Sequence, residues 1–295
     1  MNKKFILSCC STSDLTLNDY KERNIEHIAF HYYVNDKEYL DDNFTSLSAN
    51  DFYTQMKNGA KTRTSQVSVG EFVEYFEKFL KEGLDILHVT LSGGISGVIN
   101  SATTARDLLS EKYPERKIYV VDSLSGSTGY GLLMLKLADL RDAGKDIDEV
   151  KNEVENLRFT IQHLLFTPNL SYFFSGGRIP KAVGFITNIL HFCPVIEANI
   201  NGKMVLKKKT IGKKHALNGL LELLANTIKD GTNYNDYLFI GHSNIDLEVE
   251  SLKNTLSERY PNVKDKMRIF SIGTTMGSHC GPGTLLVTFI GDKRS

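Results

Sequence analysis

The chain has 295 residues, 41% of them hydrophobic and 24% charged, which is the profile of a soluble globular protein with room for two domains. Lysine plus arginine equals aspartate plus glutamate at 35 each, so no bulk charge points to a nucleic-acid partner. Four cysteines, Cys9, Cys10, Cys193 and Cys280, form no CxxC and no paired spacing, which excludes a disulfide framework and suggests a reducing, cytoplasmic setting.

Taken in order, the chain alternates strand and helix signals. Leu7-Ser8-Cys9 imitates a lipoprotein cleavage site, but the apolar run from Phe5 to Leu7 is far shorter than the ~7–15 residues of a signal segment. Residues 4–8 are therefore expected as a first buried strand, and no run approaches the ~20 apolar residues of a membrane span. A weak helix at 15–23, a strand at 25–34 and a hairpin turn at Asn35-Asp36-Lys37 follow. A short helix at 48–57 ends at Gly59, and the polar stretch 61–67 reads as a loop. Ser68-Val69-Gly70-Glu71 fits a capping box ahead of the apolar stripe Phe72, Val73, Phe76, Phe79 and Leu80, with Gly83 past its end. Strands at 86–91 and 118–121 and helices at 129–143 and 148–162 complete a first half whose repeated strand–helix units imply a parallel sheet.

The second half changes character. It reads as a strand at 164–167, a short helix after Pro168, an apolar run at 183–190, and a hairpin of 193–198 with 204–208. A helix at 213–229, a strand at 237–241, a helix at 247–260 and strands at 267–272 and 285–290 finish an α/β layer. The expected division is 1–162 and 163–295.

The most informative stretch links the strand 86–91 to an amphipathic segment starting at Ile95 through Ser92, Gly93, Gly94, Ser96 and Gly97. A strand, a Gly/Ser turn and a helix offer hydroxyls and backbone N–H groups to an anion at the helix start. Other hydroxyl loops are Thr62, Thr64 and Ser65, and then Ser123, Ser125 and Ser127. Each alone is explained by turn and cap chemistry; together, at strand ends of an open α/β sheet, they favour a ligand. Familiar alternatives fail. There is no P-loop and no HExxH, and Gly94-Ile95-Ser96-Gly97 is not a nucleophile elbow. His27 and His31, placed on one strand face, are too few for zinc. No metal or cofactor is expected. Lys203, Lys207, Lys208, Lys209, Lys213 and Lys214 form a basic run, read as a solvated face or as a surface for an acidic partner or a membrane.

Thr64-Ser65-Gln66-x-Ser68, Leu91-Ser92-Gly93-Gly94-Ile95-Ser96-Gly97, Asp122-Ser123, Gly176-Gly177-Arg178-Ile179 and His279-Cys280-Gly281-Pro282-Gly283 occur in the order found in the DegV family, which the chain resembles over nearly its whole length. Val67 stands where that family usually has Pro, Gly93 where a second Ser is common, and Cys10 where an Asp precedes Ser11. The resemblance implies a two-domain α/β fold, with a parallel-sheet N-terminal domain and a mixed-sheet C-terminal domain closing a tunnel for one long-chain fatty acid. It implies a non-catalytic bacterial subunit that presents the acid's carboxylate to a fatty acid kinase. Thr64 and Ser96 would hold the carboxylate, with Ser92 as the alternative and Ser65, Gly94 and Ser127 beside them. Arg178 and His279 would support phosphotransfer. For the acyl tail the residues themselves offer Phe173, Phe174, Phe185, Ile186, Ile189 and Leu190, and core packing accounts for each singly. Two other readings stay open: a serine hydrolase or transferase with Ser96 or Ser92 as nucleophile and His279 as base, and a module for a small phosphorylated or carboxylated metabolite.

Overall fold

The computed structural model describes residues 5–180 and 191–295. Its first strand, Phe5–Cys10 (β1), is buried at every position. Leu17–Glu22 (α1) starts at a Thr16/Asp19 capping box and leads to Ile25–Ile28 (β2). His31–Val34 (β3) and Lys37–Leu40 (β4) form a hairpin around Asn35 and Asp36, whose φ values of 47° and 66° suit a tight hairpin turn. Ala49–Lys57 (α2), Thr62–Ser65 (β5) and Val69–Lys81 (α3) follow; α3 carries the capping box expected of Ser68 and Glu71 and buries Phe72, Phe76, Phe79 and Leu80. Asp85–Thr90 (β6), Val98–Lys112 (α4), Ile118–Asp122 (β7), Ser127–Asp142 (α5) and Ile147–Leu157 (α6) complete the first half.

The second half contains Ile161–Phe166 (β8), Ser171–Ser175 (α7), Val195–Ala198 (β9), Met204–Lys208 (β10) and Lys213–Thr227 (α8). Leu238–His242 (β11), Asp246–Arg259 (α9), Met267–Ser271 (β12), Thr274–Cys280 (α10) and Leu285–Ile290 (β13) end it.

The described strands make three sheets: parallel β2-β1-β6-β7, antiparallel β4-β3-β5, and mixed β10-β9-β8-β13-β11-β12, in which only β11 and β12 run parallel. The chain is thus an α/β protein with a parallel-sheet domain and a mixed-sheet domain. In the parallel sheet the chain leaves β1 toward β2 on one side and β6 toward β7 on the other. The switch point lies between β1 and β6, and the loops after those strands flank the crevice where open sheets bind ligands. None of the described helices is long and apolar enough to cross a membrane.

Three sequence expectations need correction. The strand expected at 25–34 breaks at Ala29-Phe30 into β2 and β3, which belong to different sheets. The Phe30 N–H donates to Ser11 Oγ and its carbonyl accepts from the Asp41 N–H, so neither group serves a ladder there. Consequently His27 and His31 share no face: His27 stacks on Tyr20, while His31 lies 2.6 Å from Glu71 and 3.0 Å from Glu38. The polar loop expected at 61–67 contains β5, paired with β3 in the register Tyr32 to Thr64. The helix expected at 148–162 stops at Leu157, and a turn at 158–160 with no glycine or proline leads into β8. In the stretch 273–283, α10 occupies Thr274–Cys280.

Candidate functional site

One cavity gathers most of the singled-out residues. It encloses about 630 Å³ of atom-free space, counting the open mouth. Elements of all three sheets build it. β5 contributes Thr64; the turn after β6 contributes Leu91, Ile95 and Ser96; the start of α5 contributes Ser127. From the second half come Leu165 of β8, Phe173 of α7, Arg178, Met204 of β10 and Leu286 of β13, with Thr275, Met276, His279 and Cys280 of α10. Phe30, Ile272 and Thr284 complete the wall. The lining is mostly apolar, and no described carboxylate lines it.

Its polar groups converge. Thr64 Oγ1 lies 2.8 Å from Nε2 of His279. Arg178 Nε donates to the Ile95 carbonyl at 3.1 Å, and Nη1 donates to the Gly176 carbonyl, so the guanidinium is tied beside Ser96. Ser96 Oγ accepts from the Val98 N–H at 3.2 Å, capping the start of α4. Burial, helped by the Arg178 charge, pushes the His279 pKa down to about 3, so its imidazole is neutral at neutral pH. Burial also lowers the Arg178 pKa, yet a guanidinium keeps its charge, and no described carboxylate pairs with it.

Local structure explains why these side chains sit here. Thr64 is half-buried on the inward face of β5, while Ser65, next along, is exposed. Gln66 braces the hinge: its Nε2 donates to Ser101 Oγ at 3.1 Å, and its Oε1 lies against Gly97. Asp122 holds the hinge from the other side, accepting from the N–H groups of Gly93 at 3.0 Å and Leu124 at 2.8 Å. α7 ends in a Schellman motif: Gly177 has φ +71°, its N–H bonds the Phe174 carbonyl, and the Arg178 N–H bonds that of Phe173. That closure turns Arg178 toward the cavity. The end of α10 is fixed by hydroxyls, since Thr167 and Thr284 donate to the Cys280 carbonyl and Ser243 to that of Gly281.

Other expected site residues lie elsewhere. Ser92 is fully buried and donates to the Gly202 carbonyl at 2.9 Å, in the turn between β9 and β10. Gly94 faces the same turn, and a Cβ there would come within 2.6 Å of the Asn201 and Gly202 backbone. The structure therefore places these two at a contact between the halves rather than in the cavity wall. Ser127 lines the cavity, but its Oγ donates to Asp14 at 2.5 Å. Phe173 lines the cavity and Phe174 packs beside it in a neighbouring cluster, whereas Phe185, Ile186, Ile189 and Leu190 lie outside the described residues. Sequence reasoning missed Phe30, Met204, Ile272 and Met276, which carry no motif and meet only through the fold. Of the basic run, Lys207, Lys208 and Lys213 pair with Glu197, Glu222 and Glu248; Lys203, Lys209 and Lys214 are exposed without such a pair among the described residues.

This geometry disfavours a serine hydrolase. The His279 ring bonds Thr64 rather than Ser96 or Ser92, and no described carboxylate hydrogen-bonds it. A small phosphometabolite would leave most of the apolar wall uncovered.

A family model described as "Uncharacterised protein, DegV family" matches residues 10–292. The DegV domain-containing protein CPE0026 of Clostridium perfringens is 34% identical over 293 residues, covering 99% of both chains. Among solved structures, a DegV lipid-binding protein of Thermotoga maritima is 26% identical, with a TM-score of 0.82 and coverage of 99% of this chain and 100% of that one. A second protein of that organism, TM841, whose structure reveals fatty acid binding function, is 25% identical at a TM-score of 0.82, covering 98% and 100%. Family match, curated relative and fold agree over almost the full length: the chain belongs to the DegV family.

Proposed function

We propose that this protein binds one long-chain fatty acid in the cavity and presents its carboxylate to a partner kinase for acyl-phosphate formation. The observation that carries the reading is the convergence of Thr64, Ser96, Arg178 and His279 at one part of a mostly apolar cavity that no described carboxylate lines. The fatty acid and lipid binding of the two Thermotoga maritima proteins supports it. Residues 1–162 bring Thr64 and Ser96 to the carboxylate, 163–295 bring Arg178 and His279 beside them, and apolar residues of both halves close over the tail. An acyl chain contributes ~0.8 kcal/mol per buried CH₂, so a dozen methylenes supply on the order of 10 kcal/mol gross. A buried carboxylate costs several kcal/mol unless donors meet it. Here the donors are the hydroxyls of Thr64 and Ser96, at ~1.5–3 kcal/mol for a bond to a charged group.

Purified protein, denatured and assayed by mass spectrometry, is expected to release one long-chain fatty acid per chain. Recovery of a phosphometabolite instead would replace this reading. Ser96→Ala is expected to weaken fatty acid retention by ~1–3 kcal/mol, about 5- to 150-fold. Thr64→Ala, which removes the other hydroxyl, is expected to cost a similar amount. If binding measured by lipid exchange stays within twofold for both variants, the carboxylate lies elsewhere.

A further inference from the structure

Arg178 and His279 sit on separate segments, one just past α7 and the other in the last turn of α10. These segments are keyed together reciprocally. A Cβ built on Gly176 would lie 2.3 Å from Nδ1 of His279, and 3.1 and 3.3 Å from Cε1 and Cγ. A Cβ built on Gly281 would lie 2.2, 2.6 and 2.8 Å from three ring atoms of Tyr172. Each segment thus offers a glycine that receives a ring from the other. Real Cβ contacts essentially never fall below 3.0 Å, so neither ring keeps its place beside a side chain.

The two glycines of Gly176-Gly177-Arg178 do different work. Gly177 is left-handed at φ +71° with open space around it, so its requirement is conformational. Gly176 has φ −76° and ψ −12°, an ordinary helical conformation that any residue adopts. What a side chain there meets first is the His279 ring, which supplies all three nearest atoms. On its far edge the same imidazole meets Thr64 at 2.8 Å, so the ring is held between a hydroxyl and a missing side chain.

We propose that Gly176 is a positioning residue for phosphotransfer: the gap it leaves sets the His279 ring against Thr64, and the matching Tyr172–Gly281 contact keeps α7 and α10 in register so that Arg178 and His279 address one head group. This rests on the function proposed above.

The test is Gly176→Ala in the full-length protein. With the cognate kinase, kcat for acyl-phosphate formation is expected to fall tenfold or more, with KM for the loaded protein and fatty acid content unchanged. A double-mutant cycle on thermal stability needs no kinase: Gly176→Ala should lower the melting temperature in wild type and leave it unchanged in a His279→Ala background, where the clashing ring is gone. Equal destabilisation in both backgrounds, or kcat within twofold of wild type, overturns the proposal. Absence of any acyl phosphate from the wild-type protein sinks the kinase reading instead, and the cycle still decides whether Gly176 positions His279.

Discussion

Arg178→Ala and His279→Ala are each expected to keep the fatty acid bound and to lower acyl-phosphate formation by about 100-fold or more, the usual scale for removing one donor to a developing anion. The neutral donors Thr64 and Ser96 suffice for a carboxylate, but an arriving phosphoryl group adds charge that hydroxyls do not balance. Arg178 is the only charged side chain among the described lining residues. Its Nε and one Nη are committed to the Ile95 and Gly176 carbonyls, which aims the rest of the fork. In the proposed transfer His279 would enter uncharged, since burial and Arg178 hold its pKa near 3, and would act first as a hydrogen-bond donor. A phosphate alongside raises that pKa and lets the ring take up charge as the transfer proceeds. Ligand content by mass spectrometry and turnover in a reconstituted assay must be read together. Loss of lipid from either variant assigns that residue to carboxylate binding, and full turnover in both removes the role.

Acid sensitivity is the second large effect. His88, His163 and His279 are neutral in the fold, with pKa values pushed down to about 3, chiefly by burial. His88 is packed edge-on against Phe72 and Phe76, and Gly129 leaves the space that the His163 ring fills. Below the ordinary histidine value near 6.5 the unfolded chain takes up protons that the fold refuses. Stability therefore falls as pH drops from about 6.5 toward 3, by about 1.4 kcal/mol per pH unit for each histidine. Asp14 and Asp41 act oppositely. Burial raises both, and for Asp14 the neighbouring Asp41 charge adds to this, so the fold holds protons the unfolded chain has released, and they offset part of the loss. Urea midpoints should fall steadily from pH 7 to pH 4. His88→Gln should flatten that slope by about 1.4 kcal/mol per pH unit. An unchanged slope would mean that His88 already protonates within the fold.

How much of this was legible in the sequence depends on the kind of signal. The Gly/Ser hinge, the capping box of α3 and the Gly-Gly-Arg segment stand out because glycine and hydroxyl residues have local reasons to be where they are. β5 hid because its alternation of half-buried and exposed residues is polar throughout, leaving no hydrophobic period to read. α10 hid because Thr274, Thr275, Gly277 and Ser278, its buried face, are small and polar. From sequence, Ser92 and Gly94 look free for a ligand because nothing local says that Gly202 lies opposite them, 110 residues from Ser92. Motif order carries the family and singles out Thr64, Ser96, Arg178 and His279; the apolar wall depends on which strands become neighbours.

Because that wall draws on elements of all three sheets, an occupant of the cavity touches each of them at once. Mass action then enters the stability of the fold itself. A ligand held only by the folded chain, and present at a hundredfold its dissociation constant, adds about 2.7 kcal/mol against unfolding. The lifetime of the protein in a cell thereby becomes a gauge of how much ligand that cell has on offer.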